Sequence, residues 1–133
     1  MGRGSSGVAA AKGKSLSSDQ AVAAAATSYN QLRVAIENGK DTKPAEKAYR
    51  EKLKSFTLNA LEKEQARRMD KYNEIGAMNP DKFDASEIAQ VAWQVVEKME
   101  FIARQELIKR DPAKYGGDWY IKKNAASRKK YLG

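Results

Sequence analysis

The sequence predicts an all-α protein. Apolar residues recur every three or four positions along three long stretches, and no stretch alternates Val, Ile or Thr with polar residues as a strand would. At 133 residues, with 41% hydrophobic and 32% charged side chains, the chain has room for one domain with a modest core. These observations lead to a three- to four-helix arrangement over residues 17–116. A flexible basic N-terminal arm (1–16) and a basic, aromatic C-terminal tail (117–133) flank it.

The arm, MGRGSSGVAAAKGKSL, is Gly, Ser, Ala and Lys with no large apolar side chain before Leu16, a composition of flexible segments. From Ser17 the signals turn helical. Ser17 and Gln20 have capping-box spacing, and Val22, Ala25, Tyr29, Leu32 and Ile36 line one face until Asn38 and Gly39 stop the helix. Asp41, Thr42 and Pro44 open a second helical region, since proline is tolerated in a first turn. Tyr49, Leu53, Phe56 and Ala60 form its first apolar stripe. Leu61, Met69, Tyr72 and Ile75 continue less regularly to Gly76. One helix from Pro44 to Ile75 would span about 48 Å, long for a domain of this size, so a bend is expected at SFTLN, with Asn59 and Glu62 at capping-box spacing.

The strongest helix follows the loop GAMNPDKFD. Asp84 and Glu87 have capping-box spacing, and Ile88, Val91, Ala92, Val95, Met99, Ile102 and Leu107 make a stripe that Trp93, Val96 and Ala103 widen. This is the expected central helix. It ends at Asp111, because the residue before Pro112 is pushed away from helical geometry.

The net charge of +8 is concentrated at the ends. Residues 1–16 carry Arg3, Lys12 and Lys14 with no acid, and 117–133 carry Lys122, Lys123, Arg128, Lys129 and Lys130 against Asp118. The body between holds 17 basic and 16 acidic residues, so it is nearly neutral. Within it, Lys63, Arg67, Arg68 and Lys71 are interleaved with Glu62, Glu64, Asp70 and Glu74, a pattern expected to form a salt-bridged exposed face. The tail has no such neutralisation. Tyr115, Trp119, Tyr120 and Tyr131 supply flat rings to stack on bases or anchor in a protein pocket; alternatively Trp119 and Ile121 fold back to cap the core, and both hold at once if the lysines stay outside. The expected contact set for a polyanion or partner is therefore Trp119, Tyr120, Lys122, Lys123, Arg128, Lys129 and Lys130.

Chemistry is limited by what the chain lacks. With no cysteine and no histidine, disulfides, thiolate chemistry, histidine-assisted nucleophiles and the usual zinc or di-iron ligand sets have no residues to build them. Glu97, Glu100 and Glu106 read as the solvated face of an amphipathic helix, not as paired catalytic carboxylates. GRGSSG and YGGD lack the strand, loop and helix context of a phosphate cradle. No enzyme activity, cofactor or metal is expected. VAAA is too short for the apolar core of a secretory signal peptide, and no run is long enough to span a membrane.

The opening MGRGSSG resembles the starts of small accessory or morphogenesis proteins of tailed phages and prophages. The resemblance covers seven residues and carries no functional residue with it. It implies a location in the cytoplasm of a host cell, or in the interior or on the surface of a virion. The function expected on these grounds is a non-enzymatic accessory protein that binds nucleic acid or a nucleoprotein surface through its basic ends. The alternatives are an oligomeric virion structural or assembly protein, with homo-oligomer or virion subunits as partners, and an inhibitor of a host defence protein.

Overall fold

The computed structural model describes residues 15–133, and within them the chain is all-α. Seven helices are present among the described residues: α1 (Ser18–Glu37), α2 (Lys43–Leu53), α3 (Leu58–Gly76), α4 (Pro80–Asp84), α5 (Glu87–Arg110), α6 (Pro112–Tyr115) and α7 (Trp119–Leu132). The excess over the expected three or four has three sources, the first being that the C-terminal segment is itself a helix, α7. The 41–75 region is two helices, and short turns of helix occupy the connections. Most of the N-terminal arm lies outside the described residues. Its last apolar residue, Leu16, is tied down: its N–H donates to the Ser55 carbonyl at 2.7 Å, and the side chain packs against the core.

Local chemistry sets each boundary. At Ser17 the capping box closes in both directions, Gln20 N–H to Ser17 Oγ at 3.3 Å and Ser17 N–H to Gln20 Oε1 at 3.0 Å. Gly39 ends α1 at φ 63°, a left-handed conformation that glycine adopts without a steric penalty. The break between α2 and α3 is capped by Thr57, whose Oγ1 accepts from Ala60 N–H at 3.1 Å, and not by Asn59. Likewise α5 is capped by Ser86, accepting from Ala89 N–H at 3.1 Å, while the expected cap Asp84 closes α4. In both places the residue two positions away has the extended backbone that a cap requires.

The core gathers Leu32, Tyr49, Leu53, Phe56, Leu61, Val95, Met99, Ile102, Leu107 and Tyr115, all essentially inaccessible to water. Helices α3 and α5 form the most extensive interface, with α1 and α2 covering one side of the pair. Two expected core positions are corrected. Val22 is about half exposed, because α1 turns Ala21, Ala25, Ser28 and Leu32 inward instead. Ile88 is 83% exposed, since it lies in the first turn of α5, ahead of Val91, where that helix begins to pack on the core.

The C-terminal segment, expected to be flexible, is helical. It lies against α3 through a polar seam: Asn73 Nδ2 donates to Asn124 Oδ1 (3.0 Å) and Ser127 Oγ (2.9 Å), and Ser127 Oγ donates to Asp70 Oδ1 (2.7 Å). Hydropathy patterns miss such a helix, because its contact face is amide and hydroxyl instead of aliphatic. Gly117, at φ 64°, makes the turn between α6 and α7.

Candidate nucleic-acid interface

On a 3.6-residue helix the seam residues Tyr120, Asn124, Ser127 and Tyr131 share one face of α7, which places Lys122 and Lys129 on the opposite face. The structure thus separates the expected contact residues into two groups. Trp119 and Tyr120 turn inward. Trp119 packs edge-on against buried Tyr115, ring centroids 4.9 Å apart, and Tyr120 lies beneath the Arg104 guanidinium, 3.8 Å from its ring centroid. Neither ring is free to stack on a partner from the outer face. Ile121 does not fold back with them and is 67% exposed.

Lys122, Lys123, Arg128 and Lys129 are exposed. Lys122 faces Asp118 at 3.3 Å, but both side chains are over two-thirds exposed, so the pair is weak and solvent-screened. Lys130 is drawn partly inward to Asp70 at 3.4 Å. The result is a docked helix with Lys122 and Lys129 on its outer face and Lys123, Arg128 and Lys130 along its flanks, Lys123 lying 5.9 Å from the Trp119 ring centroid.

The expected exposed salt-bridged face on α3 is also corrected. Glu64 is fully buried, receiving Arg67 Nη2 at 2.7 Å, Arg68 Nε at 2.8 Å and the Tyr49 hydroxyl. Asp70 turns to α7, leaving Arg67 to Glu64, while Lys71 and Glu74 pair as expected at 3.5 Å. On α5, Glu100 is buried instead of solvated. It is held by the Arg104 fork at 2.9 and 3.0 Å and by Gln65 Nε2 at 2.9 Å. Glu106 pairs with Arg110 at 3.1 Å, and Glu97 stays exposed as expected. These carboxylates are spread over separate ion pairs, and no group of three or more acidic residues suited to a metal occurs among the described residues. No helix among them is long and apolar enough to cross a membrane.

A further clasp holds the base of α7. Glu62 on α3 accepts from the Tyr115 hydroxyl and from Lys114 Nζ at 3.1 Å, and these contacts, the tyrosine first, hold its carboxyl below the ordinary value. A carboxyl depressed in the folded state contributes stability above its unfolded value of about 4.3 and loses it as pH falls through the folded value. Acidification below about pH 4.3 is therefore expected to loosen the α6–α7 end first, followed by the Trp119 indole NMR signal. Glu62→Gln should remove that step, and an unchanged acid profile would exclude the clasp.

Comparison of the chain with protein-family models, with curated proteins and with solved structures finds no match in any of the three.

Proposed function

We propose that the protein is a non-enzymatic accessory protein that binds nucleic acid, or a nucleoprotein surface, through the outer face of α7. The observation that supports this most directly is the seam of Asp70, Asn73, Asn124 and Ser127, which fixes α7 on α3 while Lys122, Lys123, Arg128 and Lys129 stay exposed. A helix held in one orientation presents its cations without paying to order them at binding, and cations on a rigid frame displace counterions from a polyanion efficiently. The phage setting rests on the MGRGSSG resemblance alone.

Replacing Lys122, Lys123, Arg128 and Lys129 together by Gln is expected to weaken binding of a duplex oligonucleotide. The salt dependence should flatten by up to about 3.6 units of log–log slope if all four meet phosphates. Lys63→Gln/Lys71→Gln on α3 serves as the control and should change little; Arg67 and Arg68 are unsuitable because they hold buried Glu64. Fluorescence anisotropy over a salt series reads both. A quadruple variant that folds and binds with the parent's affinity and slope would exclude this function.

One observation favours a second reading, assembly with further copies or virion subunits. Ile121 (67% exposed) and Leu132 (49% exposed) lie eleven residues apart on one side of α7, an aliphatic pair that phosphates do not need. Ile121→Ser/Leu132→Ser should leave nucleic-acid affinity intact, and should abolish self-association seen by light scattering only if assembly is the function.

A further inference from the structure

Beside the inner face of α7 lies a cleft of about 430 Å³, within the range of about 300–1,000 Å³ common to small-ligand sites. Its lining includes Met69 and Ile102, both buried and apolar. Its walls are aromatic. Tyr72 is stacked on Trp93, centroids 5.0 Å apart and planes 15° from parallel, so its ring is fixed. Across from the α3 tyrosine, α5 and α7 contribute a ladder in which the Arg104 guanidinium lies 3.8 Å from the Tyr120 ring centroid and 5.5 Å from that of Phe101. The guanidinium cannot swing away, because both its bonds to Glu100 and the Gln65 bond behind Glu100 hold it flat. The ladder ends at Phe101, a ring left 47% exposed.

The charges of the lining balance. Glu46, Glu97 and Glu100 are matched by Arg50, Lys98 and Arg104, so the cleft offers no net attraction to a phosphate and suits an uncharged flat group. Phosphates would be taken at its edges. Arg50 and Lys98, both in the lining, enter no ion pair among the described residues. A flat neutral ring attached to phosphates is a nucleobase on its backbone. In a duplex both faces of each base are already stacked, so only an unpaired base can lie on Phe101.

We propose that this cleft receives an unpaired base of a single-stranded nucleic acid, stacked on Phe101 at the end of the Tyr120–Arg104–Phe101 ladder. The proposal rests on the nucleic-acid function proposed above and adds to it a contact that only single strands can make. Base–aromatic stacking is sequence-tolerant, so strand composition should matter less than strandedness.

The test compares a fluorescein-labelled 20-nucleotide poly-dT strand, a duplex of equal length and AMP, against the parent and three variants. Phe101→Ala is expected to weaken poly-dT binding by roughly 5- to 150-fold while leaving the duplex affinity and the salt slope unchanged. Phe101→Trp, which keeps a stacking plane, should retain binding. Because Phe101 is about half exposed, neither change should alter the thermal melt by more than a few degrees. The α7 quadruple variant should instead weaken both nucleic acids and flatten the salt slope. Equal poly-dT affinity in Phe101→Ala and the parent, with the α7 variant impaired, overturns the cleft proposal and leaves the α7 function standing. Equal losses on strand and duplex also overturn it. Saturable AMP binding without poly-dT binding makes a free nucleotide the occupant and overturns the strand. A parent that binds neither nucleic acid overturns both readings.

Discussion

Val95→Asp is expected to abolish the cooperative fold. Val95 is completely buried on α5, within the core cluster that also holds Leu61, Met99 and Leu107. The ion pairs of α5 itself, Glu100–Arg104 and Glu106–Arg110, are already closed, so neither arginine is free to compensate a new carboxylate. Burial of an uncompensated charge, or the protonation that avoids it, costs at least about 4 kcal/mol, against a total stability of about 5–15 kcal/mol for a domain of this size. Met99→Asp, at another fully buried position, should behave alike. Ile88→Asp is the informative contrast. It belongs to the same sequence stripe, but at 83% exposure it should shift stability by no more than about 0.5 kcal/mol. Urea unfolding followed by circular dichroism separates the three, and a Val95→Asp protein that melts like the parent would mean that α5 is not the centre of the fold.

That contrast also shows what a linear pattern conveys. The 3.6-residue period locates helices α1 and α5 well and α3 less well, because α3 buries Glu64, Gln65 and Asn73 beside Leu61 and Met69, while Ser17, Gly39 and Pro112 mark helix ends through local geometry that needs no partner. The period does not say where along a helix the neighbour begins, so Ile88 is miscounted. Nor does it give the rotation of an alanine-rich helix, where Ala21 and Ser28 serve as well as Val22. Capping boxes are ambiguous when two capping residues lie close together, as Thr57 and Asn59 do, and as Asp84 and Ser86 do. The candidate site was half legible. The exposed cations of α7 follow from charge placement, whereas its docking depends on Asn73, Asn124 and Ser127, residues that sequence reading assigns to water. Buried charge is the least legible feature. Arg110 donates to the Leu53 and Phe56 carbonyls at 2.6 Å each and so fixes the α2–α3 corner, yet in sequence it is one basic residue at a helix end.

Glu64→Ala is expected to destabilise the protein by about 3–5 kcal/mol, a loss comparable with a large core truncation. In sequence Glu64 resembles any surface acid among lysines and arginines, but its side chain is entirely inaccessible and serves three donors. Removing it leaves the Tyr49 hydroxyl buried without an acceptor and Arg68, 15% exposed, without its counter-charge. Arg67, 40% exposed, can turn to water and contributes little to the loss. Tyr49 reports the same contact from the other side. Burial foremost, and then the Glu64 charge, raise its phenol well above the ordinary value, so the hydroxyl remains a donor. A phenol raised in the folded state contributes stability below its unfolded value of about 10 and loses it as pH rises above that value. The parent should therefore show an alkaline destabilisation that Tyr49→Phe reduces but does not remove, because burial also raises the phenols of Tyr72, Tyr115 and Tyr120. A double-mutant cycle of Tyr49→Phe and Glu64→Gln isolates the pair, and a coupling of about 1–3 kcal/mol is expected for two buried groups in direct contact. Additive losses in that cycle, or a Glu64→Ala protein as stable as the parent, would mean that Glu64 is solvated after all, and would return the charged stretch of α3 to the exposed face that its sequence suggests.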